Sequence, residues 1–178
     1  MSSSHEPTIQ KETLYQGKII DVEVHDVELP DGKTSKREVV KHPGAVAVIG
    51  VNEDGKIPLV RQFRKATEEF LLEIPAGKRE AEEEAKITAA RELQEETGYT
   101  AGHLQEMACF YTSPGFADEL IHLYLATDLR AGRSQTEADE FLSVEEWTIA
   151  EARSALREGS WRDAKTAFAI QSLVAKYD

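Results

Sequence analysis

The sequence predicts an α+β fold, because strand-like and helix-like stretches are interspersed along the whole chain. Short runs rich in β-branched and aromatic residues alternate between apolar and polar positions, which is typical of half-buried strands. One helical stretch interrupts these runs in the middle of the chain, and two capped helical stretches follow them at its C-terminal end. The chain has 178 residues, a length that suits one domain with a full hydrophobic core.

The N-terminal part is expected to begin with a disordered tail and to continue as a β-hairpin. Residues 1–12 begin with a polar stretch and contain no apolar segment of the kind that secretory signals carry, so we expect them to be disordered. Residues 17–29 alternate in the manner of a strand, residues 30–32 (Pro-Asp-Gly) form a turn, and residues 36–41 return as a second strand. A two-stranded hairpin is marginally stable alone, so residues 13–42 are expected to pack against another surface.

The rest of the chain, residues 43–178, is expected to form the main domain. Apolar or alternating runs predict its strands at 45–51, 57–63, 70–74, 104–112, 120–127 and 141–147. Thr148 and Glu151 have the spacing of a capping box and predict a helix that runs to Arg157. Asp163 is a suitable N-cap for a final helix that ends at about Lys176.

The stretch from Gly77 to Thr100 contains the main candidate functional residues. At about 100° per residue, a helix here places Glu92 and Glu96 on one face with Glu95 beside them. Gly77 allows a turn from a strand into the helix, and Gly98 lies where a left-handed cap ends one.

This helix is strongly acidic and therefore needs a counter-charge. Residues 80–96 contain seven carboxylates and two basic side chains, Lys86 and Arg91. Mg²⁺ and Mn²⁺ prefer oxygen ligands and bridge readily to phosphate oxygens. We interpret the acidic face as a metal site, on which the small Ala85 and Ala89 leave room for a phosphate. The face expected to be buried consists of Ile87, Ala90, Leu93 and Thr97.

The same stretch has the spacing Gly-x5-Glu-x7-Arg-Glu-Leu-x-Glu-Glu-x-Gly, which resembles the Nudix box. Tyr99 departs from the family pattern, which usually closes with an aliphatic residue. The resemblance is close from Arg37 to Trp147. It implies a Nudix-like α/β/α sandwich with a mixed β-sheet, and hydrolysis of a nucleoside diphosphate linked to another group.

Three features outside the box resemble the ADP-ribose pyrophosphatase branch of this family. The first is Pro114, which lies 16 residues after Gly98. The second is the Val-Arg-Gln-Phe-Arg run at 60–64, followed by Leu-Glu-Ile-Pro-Ala-Gly at 72–77. The third is the acidic run at 137–140. The resemblance implies Mg²⁺- or Mn²⁺-dependent cleavage of ADP-ribose to AMP and ribose 5-phosphate, without an organic cofactor. Two alternatives remain open: a hydrolase of another nucleoside-diphosphate sugar such as GDP-mannose, and a sensor that binds nucleotide sugars without cutting them.

The resemblance also assigns roles to individual residues. Metal ions are expected at the Ala76 carbonyl, Glu92 and Glu96, with Glu95 as a further ligand or an orienting group held by Arg91. The expected substrate contacts are Glu38, Arg61, Arg64, Ser113, Gly115 and Glu119. The expected general base is Glu137 or Glu140 in a loop, or else Glu95 in the box, and Asp139 is a further candidate metal contact.

Composition sets the remaining expectations about partners and location. A net charge of −12 argues against nucleic-acid binding, which needs clustered Lys and Arg. No apolar run approaches the 18 residues of a membrane span. The single Cys109 is interpreted as a buried thiol in a reducing compartment, the cytoplasm. The resemblance implies a homodimer that pairs through the N-terminal hairpin.

Overall fold

The computed structural model describes residues 4–80, 82–133 and 141–176, and within them it has the predicted α+β architecture. Strands and helices follow one another along the chain as β1 (Thr8–Gln16), β2 (Asp21–Glu28), β3 (Thr34–Lys41), β4 (Ala45–Gly50), β5 (Lys56–Arg64), β6 (Glu69–Glu73), β7 (Ala76–Lys78), α1 (Ala85–Thr97), β8 (Tyr99–Tyr111), β9 (Leu120–Ala131), β10 (Leu142–Thr148), α2 (Ile149–Arg157) and α3 (Ala164–Val174). The chain divides into two compact units: Met1–Gly44 with Tyr111–Leu120, and Ala45–Phe110 with Ile121–Asp178.

The first unit contains an antiparallel sheet in the order β1-β2-β3. Strands β2 and β3 pair around the predicted turn, where Gly32 has a φ of 80°. The expectation that residues 1–12 are disordered is wrong for residues 8–12, which belong to β1. Every residue of β1 is exposed, so the strand depends on backbone pairing with β2 and shows no apolar alternation. The predicted hairpin is therefore a three-stranded sheet.

The second unit has helices on both faces of its central strand, β4. A mixed sheet in the order β7-β4-β9-β8 contains β4, which is antiparallel to β7 and parallel to β9. Residues Ala47 and Ile49 of β4 pack in a core cluster with α2 and α3, whereas Val46 and Val48 pack in a second cluster with α1. This is the predicted α/β/α sandwich. A separate antiparallel sheet in the order β10-β5-β6 joins the first cluster through Ile57 and Leu59.

Both C-terminal helices begin at the predicted caps. Thr148 and Glu151 form the reciprocal capping box of α2, and the Asp163 side chain accepts a hydrogen bond from the Thr166 N–H at the start of α3. None of the helices among the described residues is long and apolar enough to cross a membrane.

Cys109 is exposed, and the expectation of a buried thiol is wrong. Strand β8 does not alternate strictly, because the consecutive residues Met107 and Ala108 both pack against the same core cluster. Residues that follow this irregularity lie on the opposite face from the one that strict alternation predicts. Cys109 therefore points away from the core.

Candidate active site

The acidic stretch forms helix α1, as predicted, and Gly98 ends it. Gly98 has a φ of 78°, and its N–H donates to the Gln94 carbonyl at 2.8 Å. A left-handed residue at this position suits glycine, which has no Cβ to clash with the carbonyl that precedes it. The predicted helix end is therefore confirmed.

Glu92 and Glu96 both lie against strand β7. Glu96 Oε2 accepts a hydrogen bond from the Ala76 N–H at 3.0 Å. The Glu92 carboxylate covers Gly77, where an added Cβ would overlap it. Glycine is thus required at position 77 to let the carboxylate approach, and not for the predicted turn. The structure brings together three of the predicted metal ligands: Ala76, Glu92 and Glu96.

Arg91 lies among three carboxylates of the same stretch. Its Nη1 is 2.8 Å from Glu95 Oε2 and 2.9 Å from Glu92 Oε1, and its Nη2 is 3.3 Å from Glu83 Oε2. Burial alone would lower the pKa of Arg91, but Glu83, Glu92 and Glu95 outweigh that effect and raise the pKa. The prediction that Arg91 holds Glu95 in place is confirmed, and the guanidinium organises two further carboxylates.

Helix α1 buries a different face from the one predicted. Leu93 and Thr97 are buried as expected, whereas Ile87 and Ala90 are exposed. Ala89 was expected to leave room for a phosphate, but it is fully buried in the core cluster that contains α1 and β4. The helix is rotated because its carboxylates find partners on β7, so the acidic stripe faces the sheet.

A second charged group surrounds Glu73, whose side chain is 1% exposed. Arg64 binds both carboxylate oxygens, with Nε 2.7 Å from Oε1 and Nη2 2.8 Å from Oε2. Lys165 also donates to Glu73, and its Nζ lies 2.9 Å from Asp163 Oδ2. Arg64 was predicted to contact substrate, and in this structure it is engaged with a buried carboxylate.

The pKa of Glu73 lies well below its ordinary value. Burial would raise this pKa, but hydrogen bonds and attraction from Arg64 and Lys165 lower it to about 2. Glu73 also raises the pKa of Arg64, and electrostatic attraction from the more distant Glu96 adds to this rise. Arg64 is therefore within electrostatic reach of the acidic helix. Glu73 and Lys165 were not among the predicted site residues, although a carboxylate in the apolar run of β6 indicates that a buried cation lies nearby.

Arg61, the other predicted substrate arginine, pairs with Glu145 of strand β10. The Trp147 indole N–H donates to the same carboxylate at 3.1 Å. The hydrogen bond from Arg61 is the main reason that the pKa of Glu145 is lowered. Arg61 also lines a cavity of about 170 Å³, together with Leu72, Trp147, Trp161 and other residues.

The remaining predicted substrate residues belong to the first unit. The Ser113 carbonyl accepts hydrogen bonds from the N–H groups of residues 116 and 117, so that the segment around the exposed Gly115 forms a turn. Glu119 Oε2 accepts a hydrogen bond from the Thr112 hydroxyl at 2.6 Å. Glu38 is an exposed residue of strand β3.

Glu137, Asp139 and Glu140 lie outside the described residues. Their roles as general base or metal contact stay predictions.

The chain is similar to known proteins along nearly its whole length. The NUDIX domain model matches residues 41–168, and the model of the nucleoside diphosphate sugar hydrolase N-terminal domain matches residues 6–40. The chain is 53% identical to an ADP-ribose pyrophosphatase of Bacillus subtilis (strain 168), over 99% of this chain and 96% of that protein. It is 47% identical to a methanol dehydrogenase activator of Bacillus methanolicus, over 94% and 92% of the two chains.

A solved structure, an ADP compounds hydrolase, shares the fold. It matches with a TM-score of 0.82 and 24% sequence identity, over 97% of this chain and 93% of that one. The NUDIX match covers the β4 core, the box helix and the two C-terminal helix starts. The chain belongs to the Nudix family of hydrolases.

Proposed function

We propose that this protein hydrolyses the pyrophosphate of ADP-ribose to AMP and ribose 5-phosphate, in the presence of Mg²⁺ or Mn²⁺. The observation that carries the proposal is the convergence of the Glu92 and Glu96 carboxylates on Ala76 and Gly77. Similarity over nearly the full length to a bacterial ADP-ribose pyrophosphatase supports this substrate.

The donor set at this position fits a hard divalent cation. Glu92, Glu95, Glu96 and the Ala76 carbonyl offer oxygen ligands only, which Mg²⁺ and Mn²⁺ prefer. Arg91 supplies one positive charge to three carboxylates, so the stretch keeps an excess of negative charge. When bound, the divalent ions neutralise the diphosphate and activate water for attack on phosphorus.

The protein side chains hold these groups in position. Arg91 fixes Glu92 and Glu95 from one side, while the Ala76 N–H fixes Glu96 from the other. The engagement of Glu95 by Arg91 suits an orienting group, so we assign the general base to Glu137, with Glu140 as the second candidate. The proposed substrate contacts are Glu38, Arg61, Arg64, Ser113, Gly115 and Glu119.

The direct test is a hydrolysis assay with ADP-ribose, GDP-mannose and ATP. The metal-stripped protein should be inactive, and either Mg²⁺ or Mn²⁺ should restore cleavage, with the highest kcat/KM for ADP-ribose. AMP and ribose 5-phosphate should appear in equal amounts. A higher kcat/KM for GDP-mannose would reassign the substrate, and binding of ADP-ribose without cleavage of any compound would indicate a sensor.

We also propose a homodimer that pairs through the N-terminal sheet. Strand β1 exposes Ile9, Leu14 and Tyr15, each to more than half of its full extent. Apolar side chains exposed on an edge strand are typical of an interaction surface. The exposed single Cys109 accords with a reducing location, the cytoplasm.

Light scattering tests the dimer. The wild-type chain should have twice the monomer mass at micromolar concentration, and Ile9→Asp with Leu14→Asp should shift it to the monomer mass. Thr13→Asp, an exposed position on the same strand, is the matched control and should remain dimeric. A wild-type monomer mass would refute the proposal.

A further inference from the structure

Three chemically different ligand groups meet on the surface of the second unit. Glu106 and Cys109 of strand β8 and His122 of strand β9 each offer one ligand atom, and these atoms all lie within 4.8 Å of one another. None of the three belongs to the Nudix box. The proposed hydrolysis gives them no role.

The irregularity in β8 is what brings two of these groups together. Glu106 and Cys109 are three positions apart, so strict alternation would place them on opposite faces of the sheet. Because Met107 and Ala108 both pack against the core, the alternation shifts by one residue between them. Glu106 and Cys109 therefore share one face, and His122 on the neighbouring strand is their third partner.

The separation of the imidazole and the carboxylate matches that of two ligands on one metal ion. His122 Nδ1 lies 3.4 Å from Glu106 Oε2, longer than a typical N–H···O bond. Two ligand atoms on a tetrahedral ion with bonds of about 2.0 Å lie about 3.3 Å apart. The Tyr124 hydroxyl lies 3.4 Å from the same Glu106 oxygen, outside the proposed ligand set.

We propose that Glu106, Cys109 and His122 bind a Zn²⁺ ion, with a fourth position left for water. A thiolate, an imidazole and a carboxylate are the ligands that zinc takes in proteins. They contrast with the oxygen-only set on α1, which suits Mg²⁺. These ligands therefore favour a softer metal than the Mg²⁺ or Mn²⁺ proposed for the hydrolytic site.

The proposed zinc site lies two strands away from Gly77 of the hydrolytic site in the same sheet. His122 is aligned with Val46 of β4, and Val46 with Gly77 of β7. With strands about 4.8 Å apart, the backbones of His122 and Gly77 are about 10 Å apart. Replacing a carboxylate of the hydrolytic site should therefore leave zinc binding intact.

The test is a Co²⁺ titration of the metal-stripped, full-length protein. Co²⁺ takes the geometry of Zn²⁺, and a bound thiolate produces a sulfur-to-cobalt charge-transfer absorption band. Cys109 is the single cysteine of the chain, so the band reports this site alone. We expect the band to saturate at one Co²⁺ per chain, to be displaced by Zn²⁺ and to persist in excess Mg²⁺.

Variants assign the other two ligands. His122→Gln and Glu106→Gln should each weaken Zn²⁺ binding by more than about tenfold, because even outer partners of a metal site are typically worth 10–100-fold. His103→Gln, an exposed histidine on β8, is the matched control, and Glu92→Gln tests independence from the hydrolytic site. Both should bind like the wild type. Absence of the band in the wild-type protein, or wild-type affinity in both ligand variants, would overturn the proposal.

Discussion

Two networks of charged side chains in the second unit differ in their balance of charge. In the Arg91 network, one guanidinium contacts the three carboxylates of Glu83, Glu92 and Glu95. In the Glu73 network, Arg64 and Lys165 contact two carboxylates, those of Glu73 and Asp163. The first network therefore has an excess of two negative charges, and the second is neutral.

The Arg91 network therefore needs a cation from solution to balance its charge, whereas the Glu73 network is neutral without one. The balanced group surrounds a buried carboxylate and satisfies it with two cations, so its effect should appear in the free energy of unfolding. The unbalanced group repels itself along a helix and needs a cation from solution. Its effect should appear in metal-dependent activity. Substitutions in each network test whether stability and activity separate in this way.

The largest expected effect is the loss of activity on removing one charge from the metal ligands. Glu92→Gln and Glu96→Gln keep the size of the side chain but remove a negative charge. We expect kcat/KM for ADP-ribose to fall by roughly 1000-fold or more, about 4 kcal/mol of transition-state stabilisation. The melting temperature without metal should stay the same or rise, because a repulsion is relieved.

Glu84→Gln is the matched control for these two variants. Glu84 is the exposed N-cap of α1, and its side chain makes no capping hydrogen bond. The same change of charge on the same helix should leave kcat/KM nearly unchanged. If Glu92→Gln or Glu96→Gln kept more than half of the wild-type activity, that residue would not be a metal ligand.

The next largest effect is a loss of stability on replacing Glu73. Glu73→Gln leaves Lys165, whose side chain is 10% exposed, without its buried carboxylate partner. We expect the free energy of unfolding to fall by about 3 kcal/mol, at the low end for a buried pair because Arg64 is 40% exposed. For a chain of this length, the melting temperature should fall by about 6–12 °C.

The pH dependence of this loss provides a second readout. The pKa of Glu73 falls from the ordinary value of 4.5 to about 2 on folding, which corresponds to roughly 3 kcal/mol. A carboxylate with a depressed pKa stabilises the fold above its unfolded-state pKa, and this stabilisation is lost as the pH falls toward the folded-state pKa. Denaturant unfolding should therefore show the difference between wild type and Glu73→Gln shrinking between pH 5 and pH 2. A difference that stayed constant over this interval would contradict the charged pairing.

Local signals correctly predicted where α2 and α3 begin and where α1 ends. The capping box of Thr148 and Glu151, the Asp163 cap and the Gly98 cap each depend on residues within a few positions of one another. Such contacts are determined by neighbouring residues, so they can be predicted without the tertiary structure. The spacing of Glu92 and Glu96 on one helix face is predictable for the same reason.

Long-range pairing was not predictable from these patterns. Strand β1 is exposed throughout and pairs with β2 at the edge of its sheet, so no apolar alternation marks it. Helical periodicity indicated two faces of α1, but it could not show that the carboxylates turn toward β7, because their partners come from another element. The pairing of Glu73 with Lys165 joins residues 92 positions apart.

The smallest expected effect concerns the geometry of the unbalanced network at constant charge. Arg91→Lys keeps one positive charge, but a single ammonium group cannot replace a planar fork that reaches Glu83, Glu92 and Glu95 at once. We expect kcat to fall about tenfold, roughly 1.4 kcal/mol, because Glu92 and Glu95 lose their fixed positions. The Mg²⁺ concentration for half-maximal activity should rise, since the ligands must be ordered on binding. Initial rates over a Mg²⁺ series measure both quantities, and Lys86→Arg on the exposed face of α1 is the matched control. Unchanged kcat and unchanged Mg²⁺ dependence in Arg91→Lys would show that the positive charge alone, and not the fork, organises the acidic helix.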